Sequence, residues 1–204
     1  MRYRNDISGL GIVAYLIITC VAIWIGVSIT YRSPFQVGLL GPLQFYPSDL
    51  LHLERPWTVI TSIFVHAPWQ QDLFYHILFN MVTLYFFGTF LVNLIGERFF
   101  LLVFFLGGIV GNLFYMIIPP NYGAVIGASG AIYALGGTLV AMRPRLQVII
   151  FPIPIPMPLW VSVLGGFILT YFLAGVAWQA HLGGIVFGLL AGLFFRYKET
   201  HRIF

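Results

Sequence analysis

Apolar residues along this chain fall in long unbroken runs, at 10–31, 73–95, 99–118, 124–142, 159–177 and 179–195. Each run is long enough, or nearly so, to cross a hydrocarbon core of about 30 Å, so the pattern predicts six transmembrane helices in an all-α polytopic bundle. Between the first two runs, at 32–72, Pro34, Gly41, Pro42, Pro47 and Pro56 interleave with Phe35, Phe45, Tyr46, Trp57 and Trp69. That segment is too polar to span and too aromatic for a free linker, and it is expected to lie in the membrane interface, where Trp and Tyr are favoured. PPNYG (119–123) reads as a turn before the fourth run. FPIPIPMP (151–158) reads as a stiff polyproline connector.

Composition turns this pattern into a class. Of the 204 residues, 60% are hydrophobic and 8% charged, against about 25% charged in a soluble domain. Too few polar residues remain to cover a water-facing surface, so the chain belongs in a membrane with lipids as its surroundings. The net charge of +4 is small and scattered, which argues against a nucleic-acid partner. The single cysteine, Cys20, rules out an intramolecular disulfide.

The first run follows Arg2 and Arg4, but at about 22 residues it exceeds a signal-peptide core and has no A-x-A-like site after it. It is expected to be a retained helix, with no soluble domain before or after the bundle: one membrane domain over 1–204. A cytoplasmic N-terminus would put Arg2, Arg4, Arg98, Arg143, Arg145, Arg196, Lys198 and Arg202 inside and only Arg32 and Arg55 outside. This positive-inside bias predicts that both termini are cytoplasmic.

Counting then brings polar residues to a common depth. Ser129 stands 14 residues before Arg143, and His181 stands 15 before Arg196. At about 1.5 Å per residue both lie roughly 21–22 Å above the cytoplasmic boundary. His76 and Asn80, four apart in YHILFN, share one face of the second run near the same level. A serine between small residues is usually a packing residue. A histidine inside a span is harder to dismiss, since ionisable groups there are rare and mark function. Gly184, Gly188 and Gly192 give the sixth run a smooth stripe on the side of His181. Together with Gly130, Gly136 and Gly137, that stripe would let two helices approach closely and bring a hydroxyl to an imidazole.

The chemistry left open is narrow. Asp6, Asp49, Asp72, Glu54, Glu97 and Glu199 all fall at run ends or in loops, so paired intramembrane carboxylates are excluded. No HExxH occurs, and zinc held by His52, His66, His76 and His181 is disfavoured. A serine activated by a neutral histidine remains, as a dyad, with Tyr133 one turn after Ser129 to stack on the imidazole in place of an orienting carboxylate. Asn80, His76 and the Ser129 backbone N–H would supply oxyanion donors.

The combination of H-x-x-x-N at His76–Asn80, G-x-S-G at Gly127–Gly130 and A-H-x-x-G-x-x-x-G from Ala180 through Gly184 to Gly188 resembles the rhomboid family of intramembrane serine proteases, in its minimal six-helix prokaryotic form. The resemblance covers essentially the whole chain. It implies Ser129 as nucleophile, His181 as general base and acid, and Asn80, His76 and the Ser129 amide as the oxyanion hole. It implies single-span membrane proteins as substrates, cut near the outer end of the span, with no cofactor and no metal, in a prokaryotic plasma membrane. It also likens 32–72 to the family's first loop, and Leu173–Trp178 to its mobile cap. Two departures stand out: Trp57 is followed by Thr58 where the family commonly has Trp-Arg, and the interval from His66 to His76 is longer than usual. The competing expectations are a catalytically inactive rhomboid-like protein that binds client transmembrane helices and, more remotely, a transporter, since short glycine-interrupted spans can mark binding sites.

Overall fold

The computed structural model describes residues 8–72, 74–119, 123–150 and 153–201. Arg2, Arg4, Asp6 and Arg202, the Pro120–Tyr122 part of the PPNYG turn, and Phe151–Pro152 of the proline-rich joint lie outside the described residues. Within the described residues the order is α1 (Ser8–Thr30), α2 (Leu40–Leu43), α3 (Pro47–Leu51), α4 (Thr58–Thr61) with a 3₁₀ turn (Ser62–Phe64), α5 (Trp69–Asp72), α6 (Tyr75–Ile95), α7 (Glu97–Ile117), α8 (Ser129–Met142), β1 (Gln147–Ile150), β2 (Ile153–Pro158), α9 (Leu159–Tyr171) and α10 (Trp178–Thr200).

The described residues are thus mostly helical, and among them four helices are long and apolar enough to cross a membrane: α1 from Gly11, α6, α7 and α10. The other two expected spans are shorter than the hydrophobic runs that announced them. α8 has 14 residues and α9 has 13, about 20 Å each at about 1.5 Å per residue and short of a core of about 30 Å. The expected 124–142 helix starts instead at Ser129. Val125 pairs with Phe45 in an isolated antiparallel bridge, and Gly127 adopts φ 116°, a value L side chains rarely take. The expected 159–177 helix ends at Tyr171, because residues 172–177 form successive turns with Gly175 at φ 79°.

The proline-rich joint is a second correction. Its described part is β2, which pairs antiparallel with β1 with a register irregularity between Val148 and Ile150. The amide of Leu159 donates to the Leu146 carbonyl. Pro158, next to Leu159, then points its missing donor away from β1, which is where a sheet tolerates proline. The period of two that suggested polyproline also suits an edge strand.

Two compact units form, residues 1–100 with 119–129 and residues 101–118 with 130–204. In the first, α1 packs along α6. Gly88 makes room, since a Cβ there would come within 3.1 Å of Val13. The first loop folds onto α1 rather than trailing from it. Val27, Tyr31, Leu40 and Val65 form a buried cluster capped by Val37, Leu43 and Ile126, and Trp24 donates from its indole to the Ala67 carbonyl at 3.0 Å and meets Trp69 edge-on. Asp49 and Arg55 form an ion pair at 2.9 Å, with the other arm of the guanidinium on the Gly41 carbonyl at 2.7 Å. Thr58, fully buried, donates to the Arg55 carbonyl. The arginine that ties down this loop therefore lies two residues before Trp57 rather than directly after it.

In the second unit, α8 beyond Ser129 packs on α10 with backbones nearly touching. A Cβ on Gly184 would fall on the Gly130 carbonyl, one on Gly188 on the Ala134 carbonyl, and one on Gly192 on the Thr138 carbonyl. Thr138 uses the closeness, its hydroxyl reaching the Gly188 carbonyl at 3.1 Å. The α7 segment joins them through Gly107 against Ala134 and Gly111 against the Ala180 carbonyl. Small residues here replace the hydrophobic driving force that lipid removes. Arg143 and Glu199 close the far end with two parallel hydrogen bonds of 2.8 Å. Outward-facing Leu169 and Phe172 remain 64% and 77% exposed, an apolar exterior suited to lipid rather than water.

Candidate active site

In the first unit the site is built around the segment that leads to Ser129. The Gly127 amide donates to the Ser62 carbonyl at 2.9 Å, and the Ala128 amide donates to Nε2 of His66 at 3.4 Å. Because that nitrogen accepts, His66 carries its proton on Nδ1, which faces the Phe64 carbonyl at 3.3 Å. His66 is completely buried. Burial, with the His76 ring beside it, pulls it down from the ordinary imidazole value to about 3, against a smaller upward effect of the Phe64 carbonyl. It is thus a neutral strut under the G-x-S segment.

His76 sits in the first turn of α6, whose start is fixed by Asp72. The two carboxylate oxygens of Asp72 accept from the Phe74 and His76 amides at 3.1 and 3.0 Å, as an N-terminal cap does. Nδ1 of His76 accepts from the Ala67 amide at 3.3 Å, which leaves the proton of the neutral ring on Nε2. That nitrogen points at Gly127. A Cβ built on Gly127 would lie 2.7 Å from His76 Nε2 and 3.7 Å from Ser129 Oγ. A donor and a serine hydroxyl therefore converge on one spot that glycine keeps open.

One turn along, Asn80 is buried and donates from Nδ2 to the His76 carbonyl at 2.7 Å, while its Oδ1 has no partner. Ser129 itself is the first residue of α8, at the positive end of the helix dipole. The longer interval between His66 and His76 holds α5, and the two rings are 5.1 Å apart.

In the second unit His181 lies in the first turn of α10, 4% exposed. The Tyr133 ring from α8 lies on it, centroids 4.5 Å apart and planes inclined by 33°. Thr170 of α9 faces His181 Nδ1 at 3.1 Å, and its hydroxyl also donates to the Phe167 carbonyl at 3.0 Å. The Tyr133 hydroxyl comes within 3.5 Å of the same oxygen. Gly184 and Gly188 follow His181 along the face that meets α8.

Ser129, His76, Asn80 and Gly127 thus belong to the first unit, and His181, Tyr133, Gly184 and Gly188 to the second. Reading the sequence missed three contributors. His66 drew notice only as a disfavoured metal ligand and as one end of a long interval, Arg55 only as a charge on the outer side, and Thr170 not at all. A threonine that bonds back to its own helix is ordinary in a membrane span, so nothing in the local sequence sets Thr170 apart.

The fold and the two clusters define a helical membrane protein with a half-buried serine beside buried histidine and asparagine. Residues 53–198 match the rhomboid domain, and the chain belongs to the rhomboid family. It is 30% identical over 69% of its length to rhomboid protein 1, mitochondrial, of Saccharomyces cerevisiae, covering 43% of that protein. To RHOMBOID-like protein 12, mitochondrial, of Arabidopsis thaliana it is 32% identical over 73% of its length, covering 48% of that protein. A third relative, rhomboid-like protease 3 of Toxoplasma gondii, is 33% identical over 42% of this chain and 30% of its own. The chain therefore spans less than half the length of these relatives.

Proposed function

We propose that this chain is an intramembrane serine endopeptidase that cuts transmembrane segments of single-span membrane proteins near the outer face of the membrane. The observation that carries the reading is the convergence of His76 Nε2 and Ser129 Oγ on Gly127. The pairing of Ser129 with His181 rests on their common depth, 14 residues before Arg143 and 15 before Arg196.

In this mechanism Ser129 Oγ attacks the scissile carbonyl carbon while its proton passes to His181. The carbonyl π pair moves to oxygen, where Asn80 Nδ2, His76 Nε2 and the Ser129 amide receive it. Such donors are worth about 2.7–4 kcal/mol each when set in advance. Collapse breaks the C–N bond as His181 gives its proton to the leaving amine, and water repeats the cycle to release the acyl group. Tyr133 stacks on His181 and keeps the ring in place. Six spans with both termini cytoplasmic complete the proposed domain, in a prokaryotic plasma membrane. The names of the yeast and Arabidopsis relatives make a mitochondrial membrane the competing outcome when a tagged chain is localised.

The test is cleavage of a reporter with a single transmembrane span, by the purified protein in lipid. Wild type should cut near the outer end of the span, and Ser129→Ala and His181→Ala should not. Reporter binding without cleavage by folded wild type would favour the inactive, client-binding alternative.

A further inference from the structure

A serine–histidine pair without a carboxylate has a gap in its chemistry. Something must decide which imidazole nitrogen carries the proton, because only the bare one can act as base. Aromatic stacking by Tyr133 constrains the plane of the His181 ring but is blind to its tautomer.

We propose that Thr170 is the positioning residue that sets this tautomer. Its Oγ1 stands 3.1 Å from His181 Nδ1. The single hydroxyl proton of Thr170 is directed to the Phe167 carbonyl at 3.0 Å, so its oxygen meets the ring as an acceptor. Nδ1 then bears the hydrogen, and Nε2 keeps the lone pair that takes the proton of Ser129. The Tyr133 hydroxyl, 3.5 Å from the same oxygen, donates to its remaining lone pair and holds the threonine rotamer. When His181 becomes an imidazolium during attack, Nδ1–H···Oγ1 turns into a bond from a charged donor, which is stronger than the neutral one. A neutral hydroxyl thus takes over the orienting part of a triad carboxylate without placing a second charge among apolar helices, where ionised groups are costly.

The arrangement also ties catalysis to α9. Thr170 is the penultimate residue of that helix, next to the turns at 172–177. Displacement of the α9 end would remove the acceptor and free the tautomer.

This inference rests on the proposed roles of Ser129 and His181, and its test separates the two. Wild type, Thr170→Val and Thr170→Ser are labelled with ¹⁵N-histidine in lipid, with the His181 signals assigned by difference from His181→Ala. The same preparations are assayed for reporter cleavage. Wild type and Thr170→Ser should show Nδ1 protonated and similar kcat. Thr170→Val keeps the shape but lacks the acceptor. It should shift His181 towards the Nε2–H form and lose about 10-fold to 100-fold in kcat with KM nearly constant, the range for a hydrogen bond to a charged group. An unchanged tautomer and kcat in Thr170→Val, beside cleavage that still needs Ser129, would overturn the positioning role alone. Wild type without Ser129-dependent cleavage would overturn the functional reading and this role together.

Discussion

His76 and His181 are the same side chain with different groups against Nδ1, and the proposed mechanism gives them opposite uses. At the start of α6, a backbone amide donates to Nδ1 of His76, which makes Nε2 a donor and disqualifies it as a base. At the start of α10, Nδ1 of His181 meets a hydroxyl oxygen whose own proton is spoken for, which leaves Nε2 as the acceptor. In the proposed mechanism one ring stabilises an oxyanion and the other takes a proton. The proposed roles follow from the partner of the non-reacting nitrogen, so a histidine count alone could not have suggested them.

The sharpest way to break this contrast is to remove each ring in turn. His181→Ala, like Ser129→Ala, should lower kcat by about 10⁴-fold or more, because base and nucleophile act as a unit. His76→Ala and Asn80→Ala should each cost about 10²-fold to 10³-fold in kcat, the loss expected for one oxyanion donor, while leaving KM near the wild-type value. Single-turnover cleavage of the reporter separates these classes. Equal losses at His76 and His181 would erase the distinction.

Smaller effects concern the scaffolds that hold the two rings. Gly188→Ala drives a methyl onto the Ala134 carbonyl and should cost about 1–3 kcal/mol of stability by overpacking, read as earlier thermal unfolding in lipid. Arg55→Ala leaves the Asp49 carboxylate, 5% exposed, without its cation. It should destabilise the first loop by about 1–3 kcal/mol, with little change at unit 2 amides in hydrogen exchange. The mildest effect is on pH dependence. His66 in the folded chain titrates near 3, below an unfolded value of about 6.5, so the unfolded chain binds the extra proton between those limits. Its contribution is complete above about pH 6.5 and is lost as the pH falls towards 3, by at most about 1.4 kcal/mol per pH unit. Melting at pH 7 and pH 5 should show a smaller drop for His66→Gln than for wild type.

Much of this was legible in the chain because membranes leave few choices. Long apolar runs had to be helices, and the glycine stripe at 184, 188 and 192 had to face something close, here α8. What periodicity could not show was where backbone, rather than side chains, interrupts a run. The run from 124 hides an extended stretch because Val125, Ile126 and Ala128 are as apolar in a bridge as in a helix. The proline-rich joint hides a strand because alternate prolines suit both polyproline and an edge strand. Thr170 was invisible for a third reason: its role depends on a neighbour eleven positions away on another helix, and its own sequence surroundings are ordinary.

The measurement that bears most directly on the central claim is the reaction of the folded protein with a fluorophosphonate probe, followed by mapping of the adduct by mass spectrometry. An adduct is expected on Ser129 in wild type, retained at a reduced rate in His76→Ala and absent in His181→Ala. An adduct that forms equally well without His181, or none on wild type whose cap has been shown to admit the probe, would contradict that claim.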